Sequence, residues 1–128
     1  MRLHVRGIPL TVTPGTVITL KVSIHNGTEK DREVVLPTSK RFDLRVLDPQ
    51  GRVAFDAHAD HMFLQVLTPL RVAAGAEEPL GKATFQLPPD ASGGTYTVEA
   101  SVASVEGEAW RERITFAVNP TGHAGTAP

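Results

Sequence analysis

Apolar residues recur at every second position in three stretches of this chain. The clearest stretch covers residues 17–24, and the same alternation returns at 95–102 and 114–118. Because successive side chains of a β-strand point to opposite faces, each stretch predicts a strand with one buried face. In the first stretch the apolar residues are Ile18, Leu20, Val22 and Ile24.

Six further stretches predict weaker strands, and turn-forming residues separate nearly all of them. No window of a dozen residues shows the periodicity of an amphipathic helix. Two half-apolar antiparallel sheets bury their inner faces only against each other. The pattern therefore predicts an all-β fold, a two-sheet antiparallel β-sandwich of immunoglobulin-like type with about seven to nine strands. The weaker strands are 3–12, 32–36, 42–47, 53–55, 70–73 and 82–87.

Two turns are predicted from their residues. Asn26 and Gly27 tolerate φ > 0 better than other residue types, so they predict a two-residue type I′ hairpin. Residues 48–51 have the sequence Asp-Pro-Gln-Gly, and proline fixes φ at the second position of a type I turn. This predicts a second hairpin. A glycine pair before Tyr96 predicts a strand start whose tyrosine hydroxyl bonds a neighbouring loop.

The length and composition are those of one globular domain. A chain of 128 residues buries about two-thirds of the surface that it exposes when unfolded. Apolar residues make up 41% and charged residues 21%. We expect a single β-sandwich domain over residues 1–120. Residues 121–128 are small, polar and rich in Gly, Ala and Pro, so we expect a flexible C-terminal tail there.

Charge and cysteine content narrow the range of partners and compartments. The 13 basic and 14 acidic residues are spread along the sequence and give a net charge of -1, which argues against a nucleic-acid partner. No apolar run approaches the roughly 18 residues of a membrane span, so no membrane association is expected. With no cysteine and no recognisable secretion signal, the expected location is cytoplasmic.

No cofactor, metal or catalytic site is predicted. His58 and His61, with Asp56 and Asp60 nearby, come closest to a metal-binding group. Their spacing does not match a metalloprotease motif, and the other histidines lie far away in sequence. No Gly-x-Ser-x-Gly turn or glycine-rich phosphate loop occurs either. We therefore expect a protein that is not an enzyme.

Four short motifs follow one another along most of the chain. Their order and spacing across roughly residues 20–104 resemble the intracellular proteinase inhibitor family of BsuPI type. The resemblance implies an immunoglobulin-like β-sandwich that inhibits an intracellular serine protease of subtilisin type. The motifs are Leu36-Pro37-Thr38-Ser39-Lys40-Arg41-Phe42-Asp43-Leu44, Met62-Phe63-Leu64-Gln65, Val72-Ala73-Ala74-Gly75 and Gly94-Thr95-Tyr96-Thr97-Val98.

The chain departs from the family pattern at two places. Lys40 stands where the family has glutamine, and residues 53–56 replace a tryptophan-rich stretch that ends in serine. If that stretch packs in the core of the family, Phe55 takes its place here. If it contacts a protease, this chain has lost the contact.

Two loops are candidates for contact with a protein partner. The first, residues 37–41, offers Thr38, Ser39, Lys40 and Arg41 behind a stiffening proline. Its alternative interpretation is a solvated hairpin flank. The second, residues 57–64, is preferred because its apolar residues would fill apolar pockets of a protease. Their alternative interpretation is core packing beneath a loop. The second loop contributes His58, His61, Met62, Phe63 and Leu64.

The residues leave a second function open. An immunoglobulin-like domain also serves as an interaction or structural module without protease-inhibitory activity. A small enzyme or sugar-binding domain has weaker support, resting on Trp110 and the histidines as residues that line a cleft. The oligomeric state is not fixed by these patterns.

Overall fold

Ten β-strands form in the part of the chain that the computed structural model describes, residues 1–58 and 62–120. No helix occurs in those residues. The proposed tail at 121–128 and the candidate His61 lie outside them, so the division into a domain and a tail stays a prediction. The strands are β1 (Arg2–Arg6), β2 (Thr11–Val12), β3 (Val17–His25), β4 (Arg32–Leu36), β5 (Asp43–Leu47), β6 (Val53–Asp56), β7 (Thr68–Val72), β8 (Glu77–Gln86), β9 (Gly94–Ala103) and β10 (Ala109–Val118).

The strands pair in three groups. One sheet has the order β1-β3-β8, a second has the order β2-β10-β9-β5-β6, and β4 pairs with β7. Pairing between the described strands is antiparallel, except that β2 and β10 run parallel. Connections between the sheets cross over without a helix, as in other β-sandwiches.

The core is built from the alternating residues. Ile18 and Leu20 of β3 are buried, and so are Tyr96 and Val98 of β9 in the other large sheet. Buried side chains from all three strand groups form one hydrophobic cluster. The predicted all-β sandwich is therefore confirmed. Burial of the apolar inner faces of the sheets against each other stabilises it.

The stretch predicted as one strand at 3–12 is two strands, β1 and β2, in different sheets. The break follows Gly7, which has φ of +95°. A Cβ at this position would collide with the backbone carbonyl oxygen of Thr19. Glycine therefore lets the chain pass close to β3 and leave for the other sheet, which accounts for ten strands where nine stretches were identified.

Replacing Gly7 with alanine is expected to lower the free energy of unfolding by about 2 kcal/mol. A positive φ costs an alanine about 1 kcal/mol, and the contact with Thr19 adds to that cost. Gly15→Ala is the control, because Gly15 has φ of +84° but open space around a Cβ. Urea denaturation of both variants measures the difference. Equal losses of stability would contradict the role given to the Thr19 contact.

The predicted hairpin at Asn26 and Gly27 is wrong. β3 is followed by β4, which pairs with β7 and not with β3, and neither residue has a positive φ. Asn26 is instead fully buried, and its side-chain amide donates to the carbonyls of Lys30 (2.7 Å) and Val72 (3.0 Å). Its side-chain oxygen accepts the N–H of Thr28 at 3.0 Å. These bonds fix the crossover to the β4–β7 pair.

Two other local predictions are confirmed. In the turn at 48–51 the N–H of Gly51 donates to the carbonyl of Asp48 at 2.9 Å, and β5 and β6 form the flanking hairpin. The hydroxyl of Tyr96 donates to the carbonyl of Ser92 at 2.9 Å, so the ring is buried while its polar end is satisfied.

Candidate functional site

Residues 37–41 and the described residues 62–64 of the second candidate loop lie side by side at one end of the β4–β7 pair. The last pair of this ladder joins Leu36 to Thr68. Residues 37–41 leave β4 there, and residues 62–67 enter β7 from the same end. The N–H of Ser39 donates to the carbonyl of Leu64 at 3.0 Å, and the N–H of Leu64 donates to Oγ of Ser39 at 2.9 Å. Loops that the sequence offered as alternatives therefore form one site.

Residues 62–67, called here the apolar segment, carry exposed apolar side chains. Met62 is 98% exposed and Leu64 is 71% exposed, whereas Phe63 between them is half-buried. This alternation is that of an extended chain lying on a surface. Core packing is therefore the wrong interpretation for Met62 and Leu64. Val66 and Leu67, 49% and 63% exposed, extend the same surface.

The half-buried Phe63 lies over the side chains of His58, Phe42 and Lys40, called here the base. The ring of His58 meets Phe63 edge-on at a centroid distance of 5.2 Å and meets Phe42 in the same way at 4.9 Å. The ammonium group of Lys40 lies 5.8 Å from the centre of the Phe63 ring. These contacts hold Phe63 against the domain, while Met62 and Leu64 on either side of it face solvent.

The base continues into the core at Phe42. Its buried ring occupies space next to Gly81 of β8, where a Cβ would lie 2.8 Å from Cε1 of Phe42. The chain at 57–58 is fixed to the sheet as well. The N–H of Ala57 donates to the carbonyl of Leu44 at 3.0 Å, and the carboxylate of Asp56 accepts the N–H of His58 at 3.0 Å.

The loop at 37–41 is held by its own polar groups. Oγ1 of Thr38 accepts the N–H of Lys40 at 3.1 Å, and the ammonium group of Lys40 lies 2.5 Å from the carboxylate of Asp43. Lys40 is thereby part of the framework beneath the apolar segment. Arg41 is exposed and forms no ion pair with any described residue, as in a solvated flank.

No metal site is found among the described residues. No group of three or more metal-ligating side chains occurs in residues 1–58 and 62–120. His58 packs between two aromatic rings, while Asp60 and His61 lie outside the described residues. Trp110 is half-buried on β10 and packs against the hydrophobic core.

Phe55 packs inward. Its ring stacks on Phe85 of β8, with ring centres 4.7 Å apart and an angle of 19° between the planes. Of the two interpretations of residues 53–56, core packing therefore holds for Phe55. Val53, by contrast, is exposed.

A cluster of polar side chains, away from the two loops, surrounds Glu77 on the outer face of the β1-β3-β8 sheet. Its carboxylate accepts the hydroxyl of Ser23 at 2.6 Å and two guanidinium bonds from Arg6 at 2.6 and 3.1 Å. His4 lies 3.4 Å away. The Ser23 bond, followed by the Arg6 bond and charge, holds the pKa of Glu77 below its ordinary value of 4.5 despite some desolvation.

Glu77→Gln is expected to flatten the loss of stability in acid. A carboxyl group whose pKa is lowered on folding stabilises the folded state above its unfolded pKa of 4.5, and this stability is lost as the pH falls through the lower folded pKa. Urea denaturation from neutral pH downward measures the difference between variant and parent. Glu78→Gln is the control, because Glu78 forms no ion pair with the described residues. Parallel stability curves for Glu77→Gln and the parent would contradict the assignment.

The sequence matches one known protein family. The sequence profile of the family described as BsuPI, intracellular proteinase inhibitor, matches residues 10–107, which is more than half of the chain. No curated protein gives a significant match to the sequence. Among the described residues no helix has the length and apolar character to span a bilayer.

Two solved structures are similar to the chain at low sequence identity. The sporulation control protein Spo0M of Bacillus subtilis is similar with a TM-score of 0.58 and 14% identity, over 92% of this chain and 49% of that one. The chain thus spans about half of Spo0M, and the likeness concerns the fold alone. CopC from Methylosinus trichosporium OB3b gives a TM-score of 0.40 at 19% identity, covering 86% of this chain and 82% of CopC.

Proposed function

Because the chain belongs to the intracellular proteinase inhibitor family, we propose that it inhibits a subtilisin-type serine protease in the cytoplasm by placing the apolar segment in the substrate cleft. The family is one of inhibitors and not of enzymes, which confirms the expectation of a non-catalytic protein. Family membership also implies a protease as the partner. The type of protease, the compartment and the contact loop are the proposed parts.

The backbone of the apolar segment supports this proposal. Both polar groups of Leu64 bond Ser39, so one edge of the segment is fixed to the domain. In an extended chain the next residue directs its N–H and C=O to the opposite side. Those groups of Gln65 make no hydrogen bond within the described residues. Proteases bind substrates by pairing with such an open edge.

The exposed side chains carry the proposal furthest. Met62 and Leu64 project into solvent on either side of Phe63, which is held by His58 and Lys40. Apolar side chains exposed on neighbouring positions cost solubility and mark interaction sites. The proposed partner therefore has substrate pockets that accept large apolar side chains.

Affinity would come from a segment that is already ordered before binding. The chain has no cysteine, so no disulfide closes the loop. The two hydrogen bonds between Ser39 and Leu64 hold the apolar segment in place of a disulfide. Less conformational entropy is then lost when the protease binds. A contact of standard size buries about 1,600 Å² in total.

The test is a titration of an intracellular subtilisin with the intact protein while peptide hydrolysis is followed. Hydrolysis is expected to fall in proportion to added protein and to stop near one molecule per protease. Unchanged hydrolysis at a micromolar excess would reject the proposal. It would favour the alternative, an interaction module without inhibitory activity.

Ser39→Ala is expected to weaken inhibition about three- to tenfold. The variant loses the oxygen that accepts the N–H of Leu64, so the apolar segment must be ordered on binding. Thr38→Ala is the matched control, since it removes a hydroxyl that bonds only Lys40 within the same loop. Inhibition constants for both variants measure the difference. Equal constants would show that the Ser39 side chain does not support the segment.

A further inference from the structure

Three cations lie in one row across the outer face of the β1-β3-β8 sheet. Arg6 of β1 is the register partner of Lys21 of β3, and Lys21 is the partner of Lys82 of β8. All three side chains are exposed, whereas their neighbours Val5 and Val22 are buried. Directly paired residues point to the same face, so the three charges face solvent together. These residues are called the basic row.

Arg6 is paired with Glu77, whereas no described residue neutralises the two lysines of the row. Like charges directly opposite one another on a sheet destabilise it. The carboxylate of Glu77, on the same face, is occupied by Ser23 and Arg6. Lys21 and Lys82 form no ion pair with any residue that the structure describes. Two adjacent lysines are therefore left to attract an anion from outside.

A cleft accompanies the row. It has a volume of about 360 Å³, and the three cations contribute to its walls. Pro79 contributes apolar surface, next to the point where the β3–β8 register shifts between Val22 and Ser23. Glu77 also lines the cleft, with its carboxylate paired to Arg6. The carboxylate of an acidic side chain would contact the two lysines there, and its apolar stem would contact Pro79.

We propose that the basic row binds an acidic segment of a protein partner. The row spans two interstrand spacings, about 10 Å, which suits a few carboxylates on an extended segment. A nucleic acid requires more contacts than these, since its affinity comes from neutralising many phosphates. The net charge of the chain, -1, also opposes a long polyanion. This surface goes beyond the proposed protease contact, and its binding is measured without a protease.

The test uses a short fluorescent peptide rich in glutamate and a second peptide with glutamine at the same positions. Fluorescence anisotropy is expected to show binding of the glutamate peptide alone, and higher salt weakens it. Lys21→Gln and Lys82→Gln are each expected to weaken binding about two- to fivefold, the effect of one exposed ion pair. Lys30→Gln, a lysine in the loop after β3, is the charge-matched control and leaves binding unchanged.

Three results would overturn the proposal. These are equal binding of the two peptides, equal effects of the Lys21 and Lys30 substitutions, and tighter binding of an oligonucleotide of the same charge. Thermal unfolding is a second measurement. Lys21→Gln removes repulsion from both neighbours, so its midpoint is expected to equal or exceed that of the parent. A lower midpoint would contradict the repulsion on which the proposal depends.

Discussion

Replacing Met62 and Leu64 together with serine is expected to weaken inhibition of the protease by about a hundred- to ten-thousandfold. Each side chain is exposed in the free protein, and in the proposed complex it is buried in an apolar pocket of the protease. Burial of one large apolar side chain is worth about 1.5–3 kcal/mol, and a factor of ten in affinity corresponds to about 1.4 kcal/mol. Two such losses add up to about 3–6 kcal/mol.

The double variant should fold as well as the parent, because neither side chain packs in the core. Circular dichroism and urea denaturation check this point. Leu10→Ser is the matched control: Leu10 is 91% exposed and lies between β1 and β2, outside the apolar segment. If Leu10→Ser weakens inhibition as much as the double variant, the apolar segment is not the contact.

Replacing Asn26 with alanine is expected to lower the free energy of unfolding by about 3 kcal/mol. Alanine leaves the carbonyls of Lys30 and Val72 without the amide that now bonds them. The Val72 bond is buried, and each polar group deprived of its partner in such a place costs about 1–3 kcal/mol. Urea denaturation measures the loss.

Thr28→Ala is the comparison for Asn26. The Thr28 hydroxyl donates to the Asn26 side chain at 2.6 Å but lies in an exposed loop, so its loss should cost about 1 kcal/mol or less. A cost for Asn26→Ala no larger than this would show that the crossover after β3 does not depend on the buried amide.

The strands were predictable where one face is buried. Period-two alternation identified β3, β9 and the second half of β10, because burial of one face of a strand places apolar residues at every second position. Alternation does not specify the neighbouring strand. The separate sheets of β1 and β2 follow from the close approach of Gly7 to Thr19, and the absent hairpin follows from long-range bonds of Asn26. Both depend on residues distant in sequence.

The site was predictable in its parts but not in its arrangement. Sequence motifs pointed to both loops, yet their union depends on the β4–β7 pairing and the link between Ser39 and Leu64. Whether Met62 is exposed could not be predicted, because an apolar run in a loop can also pack beneath the loop against the core. The basic row left no local signal, since Arg6, Lys21 and Lys82 meet only through strand register.

The parallel pairing of β2 with β10 has a mechanical consequence. β2 lies near the start of the chain and β10 closes the described part, and Ala117 and Asn119 donate to the carbonyls of Leu10 and Val12. A force that pulls these two strands toward opposite ends of the chain acts along them, because they run in the same direction. The bonds between them are then sheared together and not peeled one after another. Stretching therefore meets resistance at this pair before the strands that lie between them in sequence are reached.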